Sequence, residues 1–297
     1  VLTKVDHCAL KAALCEWLTA QAKKIHFDRK LKIFSLDGKH LRGTEKMADC
    51  ETNLLTLIES ISWVLIDQVL VGEKTNEIPE ALAILKEANL DAETVVTADA
   101  MHTQTKTAEA IQKKTLTTSS PLKGTKEIFK KAILEETPEE SWSVPTSISE
   151  FGHGRIETRT IRVAPLAPGE LDFPGARSIA IVKRSFIDKK SGKESKETIG
   201  YISSLVDPAP RKLLAIIRYH WTIENSFFHV RDRIYREDQQ LTRTGNGPTN
   251  LALFRNLSIS INNLPGKKPI QELQAKVNRD PASFLAKFKL TAPLAQL

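Results

Sequence analysis

The chain has 297 residues, 41 % hydrophobic and 27 % charged, which are ordinary proportions for a folded domain with a substantial core. No apolar run of roughly 18 residues and no secretory signal pattern is present, so neither a membrane span nor export is expected. The net charge is +7, and residues 177–255 hold all of it: 15 Lys plus Arg against 8 Asp plus Glu, with the two signs balanced elsewhere.

The chain opens at Val1 within a helical pattern, `CALKAALCEWLTAQAKK`, which puts Leu10, Leu14, Trp17 and Leu18 on one face. A start inside such a pattern raises the expectation of a further segment upstream. `KIFSLDGKHLRG` reads as a strand through Ile33, Phe34 and Leu36 that runs into a turn at Asp37-Gly38. `SWVLIDQVLVG` reads as one strand or two, `EIPEALAILKEANL` as a helix, `TVVTAD` as a short strand ending at Asp99, and `TKTAEAIQKK` as a helix. This is a mixed α/β layout.

Further on, `TLTTSSPLKGT` reads as turn, `KEIFKKAILEE` as helix and `TPEESWSVPTS` as loop. Strands are expected in `RIETRTIRVAPL`, `ARSIAIVKRSFID` and `TIGYISSLV`, with `KKSGKESKE` as an exposed hairpin loop. Asp207-Pro208 reads as a helix start. From Arg211 to Gln239 there is no Gly or Pro, and Ile216, Ile223, Phe227, Val230 and Ile234 mark a buried stripe on one long helix. `TGNGPTN` breaks it, and `LALFRNLSISINNL` forms a last long helix before a polar tail with a short helix in `IQELQAKV`.

Three acids stand out in this layout. Asp37 and Asp99 each end an apolar run, and neighbouring strand ends gather polar groups at one edge of an α/β sheet. Glu224 borders the apolar stripe of the long helix, where a charge is usually paired or solvated. Carboxylates from two strand ends and a packed helix can hold hard divalent cations such as Mg²⁺ or Mn²⁺. Each acid also has a plainer reading: a turn at Asp37, a helix cap at Asp99, and at Glu224 a structural network with His220 and Arg231, which share its face. Arg231 either neutralises Glu224 or contacts a phosphate. His153, in `GHGR`, sits in a loop before a strand, and reads either as an ordinary loop histidine or as a contact to a polyanion. The odd set Cys8, Cys15 and Cys50 has no CxxC spacing and suits a reduced, cytoplasmic interior. The histidines form no HExxH or Cys/His set that would support a zinc site, and the sequence has no P-loop and no GxGxxG. A basic stretch around a carboxylate centre is what a polyanionic substrate needs.

The blocks `FSLDGKHLRG`, `QVLVGEKTNEIPEALAIL`, `VVTADAMHTQTKTAEAI`, `GHGRIETR`, `YISSL` and `RYHWTIENSFFHVRDRIYREDQQLTRTGNGPTNLALFRNLS` strongly resemble insertion-sequence transposases of the Asp-Asp-Glu class, in the H-repeat-associated (ISAs-type) branch. The resemblance covers about residues 30–264. It implies a ribonuclease-H-like mixed α/β sheet flanked by helices, with a β-rich insertion at about 140–206 between the second Asp and the Glu helix. Residues 1–29 would be the remnant of an N-terminal helical region, and 265–297 a C-terminal tail.

By the same resemblance, Asp37, Asp99 and Glu224 are the catalytic metal ligands, with Mg²⁺ as the usual ion and Mn²⁺ as its substitute. DNA contacts are expected in the matching blocks from Lys39, Arg42, Lys123, His153, Arg155, Arg218, His220, Asn225, Arg231 and Arg236. The implied activity is cleavage and strand transfer at element ends on double-stranded DNA, by an oligomer in the cytoplasm at the nucleoid and without a membrane partner. Three features depart from the family pattern: a shorter N-terminal region, `LTTSSPLKGT` in place of a turn resembling `LKGNQ`, and `VRDR` where `LDV` is common. The competing readings are a degenerate DNA-binding remnant and a metal nuclease of the same fold that does not join strands.

Overall fold

The computed structural model describes residues 1–25, 31–44, 52–72, 77–88, 90–91, 94–99, 105–112, 117–121, 137–152, 154–264 and 269–287. The strands among them are β1 (Lys32–His40), β2 (Asn53–Glu59), β3 (Val64–Val71), β4 (Thr94–Ala98), β5 (Thr117–Pro121), β6 (Thr146–Gly152), β7 (Arg155–Pro165), β8 (Ser178–Asp188) and β9 (Glu194–Ser203). They form one sheet in the order β3-β2-β1-β4-β5-β9-β8-β7-β6. The first half is mixed: β1 pairs antiparallel with β2 and parallel with β4, and β5 lies parallel to β4. The second half is antiparallel throughout and joins the first where β9 pairs with β5.

The helices are α1 (His7–Ile25), α2 (Glu77–Glu87), α3 (Thr105–Gln112), α4 (Pro210–Thr222), a π-helical segment (Ile223–Phe228), α5 (His229–Arg233), α6 (Gly247–Asn263), α7 (Ile270–Arg279) and α8 (Pro281–Lys287). They cover both faces of the mixed half. On one face, Phe34, Leu36, Leu57, Val96 and Ala98 pack with Ala81, Ile84 and Leu85 of α2. On the other, Ile33 and Val95 pack with Ile216 of α4. Burial on both faces is why β1 shows four consecutive buried residues, Ile33 to Leu36. The same α4 covers the antiparallel half, where Leu213, Leu214 and Ile217 meet Ile161, Val163, Val182, Ile199 and Tyr201. One helix therefore bridges the two halves of the sheet, and it leads directly into Glu224.

The first helix packs Cys15, Leu18 and Ala22, with Leu10, Leu14 and Trp17 beside them, against Val64 and Leu65 of β3 and Leu253 and Ile261 of α6. The turn before it is tied down by polar groups of the `TGNGPTN` loop. Asn250 Nδ2 donates to the Leu2 and Val5 carbonyls at 2.9 and 3.0 Å, and Asn246 Nδ2 donates to Val5 at 2.9 Å. The loop that breaks the helical pattern thus also docks the start of the chain. Among the described residues no helix is long and apolar enough to cross a membrane.

Several local expectations are corrected. The sequence reading passes over β2, because `NLLTLIE` is buried on both faces and does not alternate. β5 lies in `TTSSP`, expected as turn, because neighbours on both sides supply its hydrogen bonds regardless of propensity. β6 begins at the end of the expected loop. β1 does not turn at Asp37-Gly38 but continues to His40, paired with β2 throughout. The helix expected at Asp207-Pro208 begins instead with Pro210 at its first turn, while Asp207 takes φ 40°. The expected single helix to Gln239 becomes α4, a π turn and α5, and Arg236 beyond it is left-handed with φ 49°. The helix expected in `KEIFKKAILEE` lies outside the described residues.

Candidate metal and nucleic-acid site

The site begins with a register. β1 and β4 are parallel neighbours in which Ile33 sits beside Val95, Ser35 beside Thr97, and Leu36 beside Ala98. Asp37 continues β1 and Asp99 follows the last residue of β4, so the two acids leave the parallel ladder side by side. Side chains alternate along a strand. Asp37 therefore shares a face with Ser35 and Ile33, and Asp99 with Thr97 and Val95. That is the face covered by α4. The two strands carry the same spaced pattern, apolar, hydroxyl, acid, in step.

The helix crosses this pattern in the same order. Ile216 meets the apolar pair. The buried hydroxyls form a seam: Ser35 Oγ lies 2.9 Å from Thr97 Oγ1 and 2.5 Å from Ser60 Oγ, and it donates to the Tyr219 carbonyl at 3.4 Å. His220 Nδ1 lies 3.3 Å from Thr97 Oγ1. One turn later the helix presents Glu224 at the level of the acids.

Glu224 does not stand on an α-helical turn. It lies in the π segment, and its carbonyl accepts the wide hydrogen bond from the His229 N–H. A π turn inserts a residue and rotates everything after it, and such turns are frequent at functional sites. Ile223, Phe227 and Phe228 anchor the segment against Ile58 and Ile259, leaving Glu224 and Asn225 exposed. Beyond the turn, Arg231 takes a buried place, while Val230 and Ile234 of the expected stripe are only half-buried.

Electrostatics link the acids. The half-buried Asp37 carboxyl is pushed up to about 8, first by burial, then by the charges of Glu224 and Asp99, with a smaller push from Glu77. The N–H of Gly38 donates to Asp37 Oδ1 at 2.8 Å and opposes the rise. Like charges brought together disfavour ionisation, so the shift reports that the three acids are near one another. Among the described residues, however, no group of three or more His, Cys, Asp or Glu side chains forms a cluster that could hold a metal ion. The acids act on one another through their charges. Three carboxylates are hard oxygen donors, the chemistry that suits Mg²⁺ or Mn²⁺.

Glu77, at the start of α2, was not singled out from the sequence. Its carboxylate lies where a Cβ on residue 38 would be, so glycine is what lets it approach the strand. The Asp-Gly pair that reads as a turn is a strand position kept clear for a fourth acid. A signal was available in the repeated Ile33-x-Ser35-x-Asp37 and Val95-x-Thr97-x-Asp99 spacing, which places both acids on one face. Nothing comparable marked Glu77.

Beside Glu224, on the side of the antiparallel strands, a cleft of about 300 Å³ is lined by Arg155, Arg159, Arg184, Arg218, Trp221 and Asn225 among others. Carboxylates hold three of these arginines in place, while Arg155 lies 5.8 Å over the Phe186 ring. Arg159 pairs with Glu157 at 2.8 Å and Glu150 at 3.1 Å, Arg184 pairs with Glu157, and Arg218 pairs with Glu150. Burial pushes the Glu150 carboxyl up, but Arg218 and Arg159 outweigh it and hold it below the usual range. Arg184 also lies 3.8 Å from Glu197, so four arginines face three glutamates and the cleft keeps a cationic excess.

The positions expected to contact DNA divide accordingly. Arg155, Arg218 and Asn225 line the cleft. Arg42 and Arg236 are exposed, and His220 sits on the hydroxyl seam. Lys39 is engaged by Asp232 at 2.7 Å. Arg231 is corrected. It is fully buried, and its Nε donates to Glu237 Oε2 at 2.7 Å, with Arg255 on the other oxygen at 3.1 Å. It neither neutralises Glu224 nor reaches a phosphate, because the π turn rotates it into the core. Lys123 and His153 lie outside the described residues.

Residues 28–261 match the family model described as a transposase DDE domain. The chain is 27 % identical over 272 residues to the H repeat-associated putative transposase YhhI of Escherichia coli (strain K12), covering 88 % of this chain and 71 % of that protein. It is 26 % identical over 272 residues to the putative protein YbfL of the same organism, with the same coverage. Among solved structures, a piggyBac transposase synaptic complex with hairpin DNA aligns at a TM-score of 0.45 and 14 % identity, over 89 % of this chain and 55 % of that one. The chain thus spans about half the length of that structure's protein.

Proposed function

The chain belongs to the transposase DDE domain family, and from that premise we propose that it is the catalytic core of a metal-dependent DNA transposase, with Asp37, Asp99 and Glu224 as its metal-holding acids. The observation that carries this reading is the parallel register of β1 and β4, which sets Asp37 and Asp99 side by side on the face crossed by the Glu224 helix. The strand order β3-β2-β1-β4-β5, with an antiparallel extension between Asp99 and Glu224, supports a ribonuclease-H-like core within residues 30–264.

Bound divalent cations would activate an attacking oxygen and stabilise the leaving oxygen of a phosphodiester. The chain's own groups do the rest. Burial and neighbouring acids keep a proton on Asp37 near neutral pH, and a cation would have to displace it. The hydroxyl seam and His220 tie the helix that leads into Glu224 to the strands of the two aspartates. The arginine cleft beside Glu224 receives the backbone of double-stranded DNA, with Arg155, Arg218 and Asn225 at its surface. Assembly on paired DNA ends as an oligomer, and work in the cytoplasm at the nucleoid, belong to the same proposal.

The test is cleavage of DNA carrying the element's own ends, in Mg²⁺ and in EDTA, by the wild type and by Asp99→Asn. Mg²⁺-dependent nicks and joined products that vanish in the variant support the reading. Nicks without joining would reassign the chain as a nuclease, and unchanged activity in the folded variant would remove Asp99 from the site.

A further inference from the structure

Lys39 lies two residues beyond Asp37, on the same face of β1. Its ammonium sits 2.7 Å from Asp232 Oδ1 and 2.8 Å from Oδ2. Asp232 belongs to α5, the short helix that continues the π segment of Glu224. The ammonium also lies 5.7 Å over the ring of Phe228, the last residue of that segment. One cation on the strand of the first acid therefore grips the far end of the segment carrying the third. The Lys39 side chain is only 9 % exposed, which suits a fixed strut better than a phosphate contact. Its neighbour Arg231 pins the same short helix through Glu237, which Arg255 of α6 also holds.

We propose that Lys39 and Asp232 are positioning residues whose ion pair sets the approach of Glu224 to Asp37. A π turn is a rare interruption of the α-helical ladder, met mostly as a single turn, so contacts from outside the helix are what can hold such a segment in one geometry. The hydroxyl seam restrains it on the N-terminal side, and the Lys39–Asp232 pair on the C-terminal side. The inference rests on the reading that Asp37 and Glu224 act together on a cation.

The sign of one effect separates positioning from simple charge. A cation beside a carboxylate cluster opposes the binding of another cation, so deleting the Lys39 charge should tighten Mn²⁺ if charge is all it supplies. If Lys39 positions Glu224, deleting it weakens Mn²⁺ instead, by about tenfold, the lower range for groups that orient metal ligands.

The experiment uses the whole chain with Lys39→Met, Asp232→Asn and the exchange Lys39→Glu with Asp232→Lys. Amide hydrogen exchange is measured without metal, and Mn²⁺ is titrated by calorimetry. Both single variants should speed exchange at residues 223–228 while β7 to β9 keep wild-type protection, which also shows that the fold persists. Lys39→Met should weaken Mn²⁺, and the exchanged pair should recover both properties. Wild-type protection at 223–228 in both single variants, or tighter Mn²⁺ in Lys39→Met, would overturn the proposal. If wild-type Mn²⁺ binding is indifferent to Asp99→Asn, the metal reading itself fails, and the metal-free exchange data still decide the role of the ion pair.

Discussion

His220 Nδ1 lies 3.3 Å from Thr97 Oγ1, joining the helix of the third acid to the strand of the second. Thr97 is fully buried; its hydroxyl also donates to the Phe34 carbonyl at 3.2 Å and lies 2.9 Å from Ser35. Replacing Thr97 by Val keeps the shape and removes the bonds, leaving buried partners unsatisfied. The expected cost is about 1–3 kcal/mol, read in urea unfolding. An unfolding midpoint equal to that of the wild type would show that the seam holds nothing.

The Asp37 carboxyl yields a pH prediction with a definite sign. Its value in the folded chain is raised from 3.8 to about 8, so folding favours the protonated form. Its contribution to stability is complete below 3.8 and is lost as pH rises through about 8. The metal-free chain should therefore lose melting temperature between these limits, and Asp37→Asn should flatten that loss. Thermal melts of both proteins across this range check it, and parallel curves would remove Asp37 as the cause.

Gly38→Ala forces the Glu77 carboxylate away from the strand, since the new Cβ would occupy its place. The long Glu77 side chain can swing aside, so the net stability change should stay within about 1 kcal/mol, helped by replacing a strand glycine. With Glu77 displaced, one of the charges that raises Asp37 recedes. The Asp37 carboxyl should then titrate lower, as read by NMR, and Glu77→Gln should lower it too. An unmoved titration in both variants would exclude Glu77 from the site.

Glu237 is fully buried between Arg231 and Arg255. Burial also pulls the Arg255 guanidinium below its usual range, with Glu237 opposing that fall. Glu237→Gln leaves two guanidinium groups without their counter-charge, and breaking a buried pair in this way costs about 3–5 kcal/mol. Chemical denaturation measures it. A loss under about 1 kcal/mol would mean that the network is solvated.

The arginine cleft predicts a salt signature. Arg155→Gln and Arg218→Gln should each weaken DNA binding and reduce the slope of log affinity against log salt by about 1. Fluorescence anisotropy with duplex DNA at several salt concentrations gives the slopes. Unchanged slopes in both variants would place the DNA path elsewhere.

Much of the proposed site can be traced in the sequence. Asp37, Asp99 and Glu224 stand at recognisable places in the hydrophobic pattern, and Asn225, Arg155 and Arg218 belong to blocks that carry the family resemblance. The Glu224 helix was legible up to Thr222, because Ile216 and its neighbours keep a regular spacing. It failed beyond because a π turn leaves no mark in a periodicity read at 3.6 residues per turn. Arg231 departs from its expected place for that reason: one inserted residue moves it from the face of Glu224 into the core.

What the sequence by itself determined was the identity of the elements bearing the acids. Apolar runs ending at Asp37 and Asp99, a Pro- and Gly-free stretch around Glu224, and a basic excess near it are local properties, recorded residue by residue. What only the tertiary structure decided was which of these meet. The parallel register of β1 and β4, the strut from Lys39 to Asp232, the approach of Glu77 to Gly38, and the pairing of Glu150 with Arg218 span 193, 39 and 68 positions or arise between distant strands. Contacts of that range depend on how strands order themselves and how a helix crosses them, and no window of the sequence contains both partners.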